Sequence, residues 1–233
     1  MKNTKLKYII VAVFVMILSS CQTIAFTKLD TDNWEIFYTQ DDEKQAKAID
    51  NELRLKAVTV KNIFNPSYNK KVTIKIFPDL ASYNRARTSI GALPSKQIGS
   101  GCCLDNLILL CSGGNVKLAT HEYTHAVIHS IPTKSVFDSW IDESLCYYMA
   151  GESYSPTKYI KFYYDFEESN FLHNFSQNQH TGRFMYYVGQ FLLETYSREQ
   201  IISLLKTRSI VDGLEISEET FWNTWCNWVK VLK

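Results

Sequence analysis

Glycine and proline are scarce in this sequence, nine and five of 233 residues, which argues against a linker-like or disordered chain. Charge of one sign is lacking too. The formal net charge is +1 and no basic stripe stands out, so no nucleic-acid partner is expected. A near-neutral chain also has no strong long-range field to steer charged partners. The apolar run from Tyr8 to Leu18 covers only eleven residues, whereas a membrane-spanning helix needs roughly 20. There is no internal repeat and no low-complexity tract, and the cysteine spacing fits no zinc-knuckle pattern. What remains has ordinary apolar content and is rich in aromatics, with 14 Tyr and 13 Phe. That is enough chain for one compact domain with a real core, and a squeeze for two.

The first twenty residues read as an address. Lys2, Lys5 and Lys7 form a positive n-region, and Tyr8 to Leu18 has the length of a signal h-region. The run ends in Leu18-Ser19-Ser20-Cys21, which resembles the bacterial lipobox. The resemblance implies cleavage before Cys21, lipidation of that cysteine and a protein anchored to a bacterial membrane outside the cytoplasm. The expected organisation is a signal peptide over 1–20, a lipidated tether over 21–33 and one domain over 34–233. Disulfides persist in that compartment, and five cysteines follow Cys21. The odd count leaves at least one unpaired within the chain. Cys102 or Cys103 with Cys111 is the candidate pair; small buried thiols are the alternative.

Trp34 to Thr39 reads as a strand, and 41–64 as an amphipathic helix with Ala46, Ile49, Leu53, Ala57, Val60 and Phe64 on one face. The alternation Val72, Ile74, Ile76 against Lys71, Thr73, Lys75 predicts a strand over 71–77 with one buried face. A short helix to about residue 87, a loop over 90–101 and a strand over 106–111 follow. After the Ser112-Gly113-Gly114 break, Asn115 can cap a helix to about Ser130. Helices are expected over 137–150, 156–169, 181–196, 198–207 and 217–231. Strands mixed with helices, then helices alone, predict an α+β fold: a small mixed sheet with an active-site helix, followed by a mainly helical C-terminal part.

The chemistry lies in His121-Glu122-Tyr123-Thr124-His125, an HExxH motif inside one of these helices. Positions i and i+4 share a helix face, so both imidazoles can reach one zinc ion. Glu122, one position on, stands beside the metal, where it can take a proton from an activated water. Catalytic zinc needs a third protein ligand. The HExxHxxGxxH extension is absent, since Ile128 stands where its glycine would. The candidate is Glu143 in Trp140-Ile141-Asp142-Glu143-Ser144-Leu145, eighteen positions after His125. A turn and a second, antiparallel helix would return it to the metal. Asp142 is either a carboxylate orienting an imidazole or a surface acid. His129, His173 and His180 read as non-ligands.

Leu118 to Ala126 and Trp140 to Leu145 resemble the peptidase MA-like gluzincins, which share a thermolysin-like zincin core. The order of strands and helices upstream is also similar. The resemblance implies a zincin-like domain with one zinc per chain on His121, His125 and Glu143, and Glu122 as general base. It also implies an edge strand beside the cleft just before the active helix, which gives Asn106 to Cys111 either a substrate-pairing role or a plain sheet edge. A tyrosine on a late helix is expected to donate to the oxyanion. Tyr186 matches best and Tyr187 is its neighbour. Ser144 departs from the family's usual glycine after the ligand glutamate. The expected function is hydrolysis of peptide bonds in a peptide or protein substrate. A zinc-binding surface lipoprotein without significant peptidase activity is the alternative.

Overall fold

The computed structural model describes residues 24–133, 140–153 and 181–232. The signal segment, Cys21, the helix expected over 156–169, His173 and His180 lie outside those residues.

Alternating apolar residues build the sheet. Strands β1 (Thr27–Asp30), β2 (Trp34–Tyr38), β3 (Val72–Phe77), β4 (Gly101–Leu104) and β5 (Leu107–Cys111) lie in the order β1-β2-β3-β5-β4. The pairings β1/β2 and β4/β5 are antiparallel and β2/β3 and β3/β5 parallel, so the sheet is mixed. Its registers align Ile36, Ile74 and Ile108 in one row across three strands, all fully buried. Helix α1 (Glu43–Phe64) buries Ala46, Ile49, Leu53, Ala57, Val60 and Phe64 in the same core. Full burial of side chains of this size contributes roughly 1.5–3 kcal/mol each. The opposite face carries a smaller cluster of Phe77, Leu109 and Cys111 with Tyr83 from α2 (Leu80–Ser89). Ile24 and Phe26 pack against that cluster, Phe26 edge-on to Phe77 at 5.8 Å.

Two strands were not legible in the sequence. β1 falls in the stretch expected as tether, so the folded region reaches back before residue 34. β4 begins where a loop was expected to end, because Gly-Cys-Cys-Leu shows no alternation. It returns on β5 through a tight turn at Asp105-Asn106, with Asp105 in the left-handed region at φ 53. The segment expected as the sheet edge is therefore internal: β5 is bonded to β3 on one side and β4 on the other, and β4 forms the edge. The same register explains the cysteines. Cys102 faces Leu109, Cys103 faces Ile108, and the Cys111 N–H donates to the Ser100 carbonyl, so neither candidate partner stands opposite Cys111. None of the five described cysteines is in a disulfide.

Helices α3 (Lys117–His129), α4 (Trp140–Ala150), α5 (Thr181–Thr195), α6 (Arg198–Thr207), α7 (Ile210–Leu214) and α8 (Glu218–Val231) follow among the described residues. Phe191 of α5, Trp225 of α8 and Leu204 of α6 extend the main core away from the sheet. The fold is α+β, with a five-stranded mixed sheet and a helical C-terminal part.

Candidate metal centre

Helix α3 starts at a fixed place. The Asn115 Oδ1 accepts from the Lys117 N–H at 3.1 Å just ahead of the first turn, while the N-cap position itself falls on Val116, which has no side-chain cap. Gln45 on α1 grips the preceding glycines, its Oε1 accepting from Gly113 N at 3.2 Å and its Nε2 donating to Gly114 O at 3.4 Å. From Ala119 to Ile128 every residue of α3 is buried, since the helix is covered by α1 on one side and α4 on another. Ten consecutive buried positions leave no solvent face for His121, Glu122 and His125. Such polar groups stay in a core only with partners or a ligand.

The two imidazoles lie one turn apart, ring centres 5.0 Å from each other. Nε2 of His121 stands 3.3 Å from Oε2 of Glu143, and Nε2 of His125 3.4 Å from Oε1 of the same carboxylate. Donors at 2.0–2.1 Å around a tetrahedral zinc are themselves separated by about 3.3 Å. Each imidazole thus stands from the carboxylate at the spacing of two ligands on one ion, and the donor chemistry fits the metal. Burial by itself would raise the Glu143 pKa, but the imidazoles on its two oxygens outweigh that and hold the carboxyl well below its ordinary range.

Two more residues of α4 share this pole of the core. The Cys146 Sγ and ligand atoms of His121 and His125 all lie within 4.8 Å of one another, and this buried group could hold a metal ion. Burial, reinforced by nearby carboxylates, pushes the Cys146 thiol far above its ordinary pKa. Tyr147 meets the His121 ring edge-on at 4.8 Å and lines the cleft. Sequence reasoning missed both, although their offsets of three and four from Glu143 place them on its helix face.

The cleft has a volume of about 700 Å³ and is bounded by α3, the end of α4 and the β4 edge. Gly101 of β4 backs directly onto Glu122: a Cβ there would sit 2.6 Å from Oε1 and 2.9 Å from Cγ. Its φ is ordinary, so the glycine is required by proximity alone. The Gly101 carbonyl accepts from Arg87 at 3.2 Å.

Helix α4 ends in a Schellman motif, with Gly151 N–H donating to Tyr148 O and Glu152 N–H to Tyr147 O. Gly151 takes φ 68, and Lys117 Nζ holds its carbonyl at 2.6 Å. The reversal brings the Glu152 carboxylate to 4.0 Å from His121 Nδ1, a buried atom with no hydrogen bond of its own. Burial raises the Glu152 pKa, against the pull of His121 and Lys117.

Other sequence candidates lie elsewhere. Tyr186 packs against Tyr148 at 5.3 Å and Tyr187 at 5.2 Å and is not among the described residues that line the cleft; Tyr187 is buried. Asp142 is no surface acid: fully buried, it pairs with Arg208 and lies 3.8 Å from His129 Nε2. His129 accordingly serves that cluster. Ser144 in the glycine position turns its hydroxyl back onto the Trp140 carbonyl. No protein-family model matches the chain, and no curated protein matches it.

Proposed function

We propose that the chain is a zinc-dependent peptidase in which His121, His125 and Glu143 hold the metal and Glu122 is the general base. One observation carries this reading: two imidazole Nε2 atoms from one helix meet a single carboxylate from the next at 3.3 and 3.4 Å, in a cleft that Glu122 also lines. Zinc held there supplies a Lewis acid that polarises the scissile carbonyl and acidifies water at neutral pH. Glu122 accepts the proton of the attacking water and passes it to the leaving amine. Gly101 keeps the β4 backbone against that carboxylate and so limits where it can swing. In an antiparallel pair, groups alternate between the partner strand and the open side. With Ser100 bonded to β5, the N–H and C=O of Gly101 and Cys103 turn outward. An extended peptide pairing along that edge would run past Glu122.

The alternative, a zinc-binding protein without peptidase activity, is favoured by one observation, the Cys146 thiol beside both imidazoles. Four protein donors close a tetrahedral zinc site, whereas catalytic sites keep one position open. The N-terminal address supports anchoring outside the cytoplasm through a lipidated Cys21; Cys21→Ala is then expected to release the protein from the membrane fraction. Among the described residues no helix is long and apolar enough to cross a membrane.

Glu122→Gln separates the two functional readings. It is expected to retain about one zinc per chain while hydrolysis of a fluorogenic peptide library falls by roughly 10²–10⁴-fold. Unchanged hydrolysis in that variant would remove Glu122 as the base, and no hydrolysis by the zinc-loaded wild type would leave the binding protein.

A further inference from the structure

Glu143 and Cys146 are three positions apart on α4, and such a pair can present two donors to one metal in the way a Glu-x-x-His pair does in carboxylate bundles. Across from them, His121 and His125 present two more from α3. The sulfur and the imidazole ligand atoms lie within 4.8 Å of one another. In a tetrahedral zinc site a thiolate sulfur stands about 3.6 Å from each nitrogen donor, given metal distances of about 2.3 and 2.05 Å. From 4.8 Å, a sulfur shift on the order of 1 Å would bring it to that distance from the imidazoles, within reach of a small χ1 rotation. Cys146 is fully buried in the main core, at a position whose packing role a small aliphatic side chain could fill.

We propose that Cys146 is a fourth protein ligand, which closes the zinc site in its resting state and leaves the metal when the site opens. The inference rests on the zinc reading above and adds a donor to it. On closure the thiol gives its proton to solvent and a sulfur–metal bond forms. On opening that bond breaks, the sulfur takes a proton back from solvent, and His121, His125 and Glu143 retain the ion with one position vacant. No electron is exchanged. The arrangement keeps a hydrolytic centre inert until the vacant position is claimed from the cleft side.

The test uses the full-length protein in detergent, stripped of metal and titrated with Co²⁺, whose bond to thiolate gives an intense near-ultraviolet charge-transfer band. The expected result is that band at one equivalent of cobalt in the wild type. Cys146→Ser should abolish it, and Cys226→Ser, which removes a thiol from α8, should keep it. Zinc affinity, measured by competition with a chromogenic chelator, should fall at least about tenfold in both Cys146→Ser and Cys146→Ala, the scale on which even groups outside the ligand set act. Absence of the band from the wild type is decisive even where a variant folds poorly. Stoichiometric cobalt without the band overturns the fourth ligand and leaves the peptidase reading standing, and so does a band that survives Cys146→Ser. No metal bound by the folded wild type overturns both.

Discussion

Gly101→Ala probes the site without touching any ligand. The backbone there has an ordinary φ, so alanine introduces no strain and slightly favours the fold by restricting the unfolded chain, by about 0.4–1 kcal/mol. Its Cβ, however, would lie 2.6 Å from Glu122 Oε1, where ordinary contact begins at 3.4 Å. What must yield is the Glu122 side chain from Cγ outward, with Cγ at 2.9 Å and Cδ at 3.1 Å, rather than backbone. The stability cost is therefore small, and the carboxylate is displaced by about 0.8 Å, the difference of those two distances. Displacement of a catalytic group on the order of 1 Å can cost roughly 10²-fold in rate. Gly101→Ala is thus expected to keep its zinc content and a melting temperature near wild type, while kcat/KM on a fluorogenic peptide drops about 10²-fold. Wild-type kcat/KM in a properly folded, zinc-loaded Gly101→Ala protein would refute the claim that the β4 backbone holds Glu122 in place. A large loss of stability would refute the claim that only the side chain yields.

Three further expectations concern the surroundings of the site. Glu152→Gln removes the carboxylate facing His121 Nδ1 and should weaken zinc binding by roughly 10–100-fold in chelator competition; unchanged affinity would mean that the 4.0 Å gap is never bridged. Arg208→Ala leaves the fully buried Asp142 without its guanidinium and should destabilise the fold by about 3–5 kcal/mol in urea denaturation, part of which Asp142→Asn restores; a loss below about 1 kcal/mol would assign the compensation to His129 instead. Asp79 caps α2 by accepting from the Ser82 N–H at 2.7 Å, a bond that lowers its pKa on folding. A lowered folded pKa means that its contribution is present above the unfolded value near 3.9 and fades as pH falls through the folded one. Asp79→Ala should therefore cost about 1 kcal/mol at neutral pH, and the gap to wild type should narrow in acid; a gap that widens on acidification contradicts that sign.

The functional stake in these residues is the difference between the open and the closed site proposed above. His121, His125 and Glu143 would leave a tetrahedral ion one free position, which Cys146 would fill. Tyr147 and Glu152 bear on His121 from two further directions. All three extra residues come from α4 and its terminal turn, so a single helix carries the proposed third ligand, the proposed closing ligand and two groups that bear on His121.

Local periodicity alone determined a good part of this protein. The i, i+4 spacing of His121 and His125 sets both imidazoles on one side of α3, and the alternation around Ile74 makes β3 a strand with one buried face, whatever the rest of the chain does. The stripe from Ala46 to Phe64 is equally local, since one helix face carries it. The return of Glu143 to the two imidazoles was legible because eighteen residues suffice for a turn and a second helix. Tertiary structure decided the rest, because it depends on pairing and approach between distant segments. β4 has no alternation of its own and becomes the sheet edge only through its register on β5. Tyr186 and Tyr147 are alike as letters, and only the packing of α4 on α3 puts Tyr147 on His121 while Tyr186 meets Tyr148. Gly101 reads as an ordinary loop glycine until the fold sets it against Glu122. Asp142 reads as surface charge until Arg208, sixty-six residues later, closes over it in the core. Spacing along one element fixes which side chains share a face, and only the packing between elements fixes what that face meets.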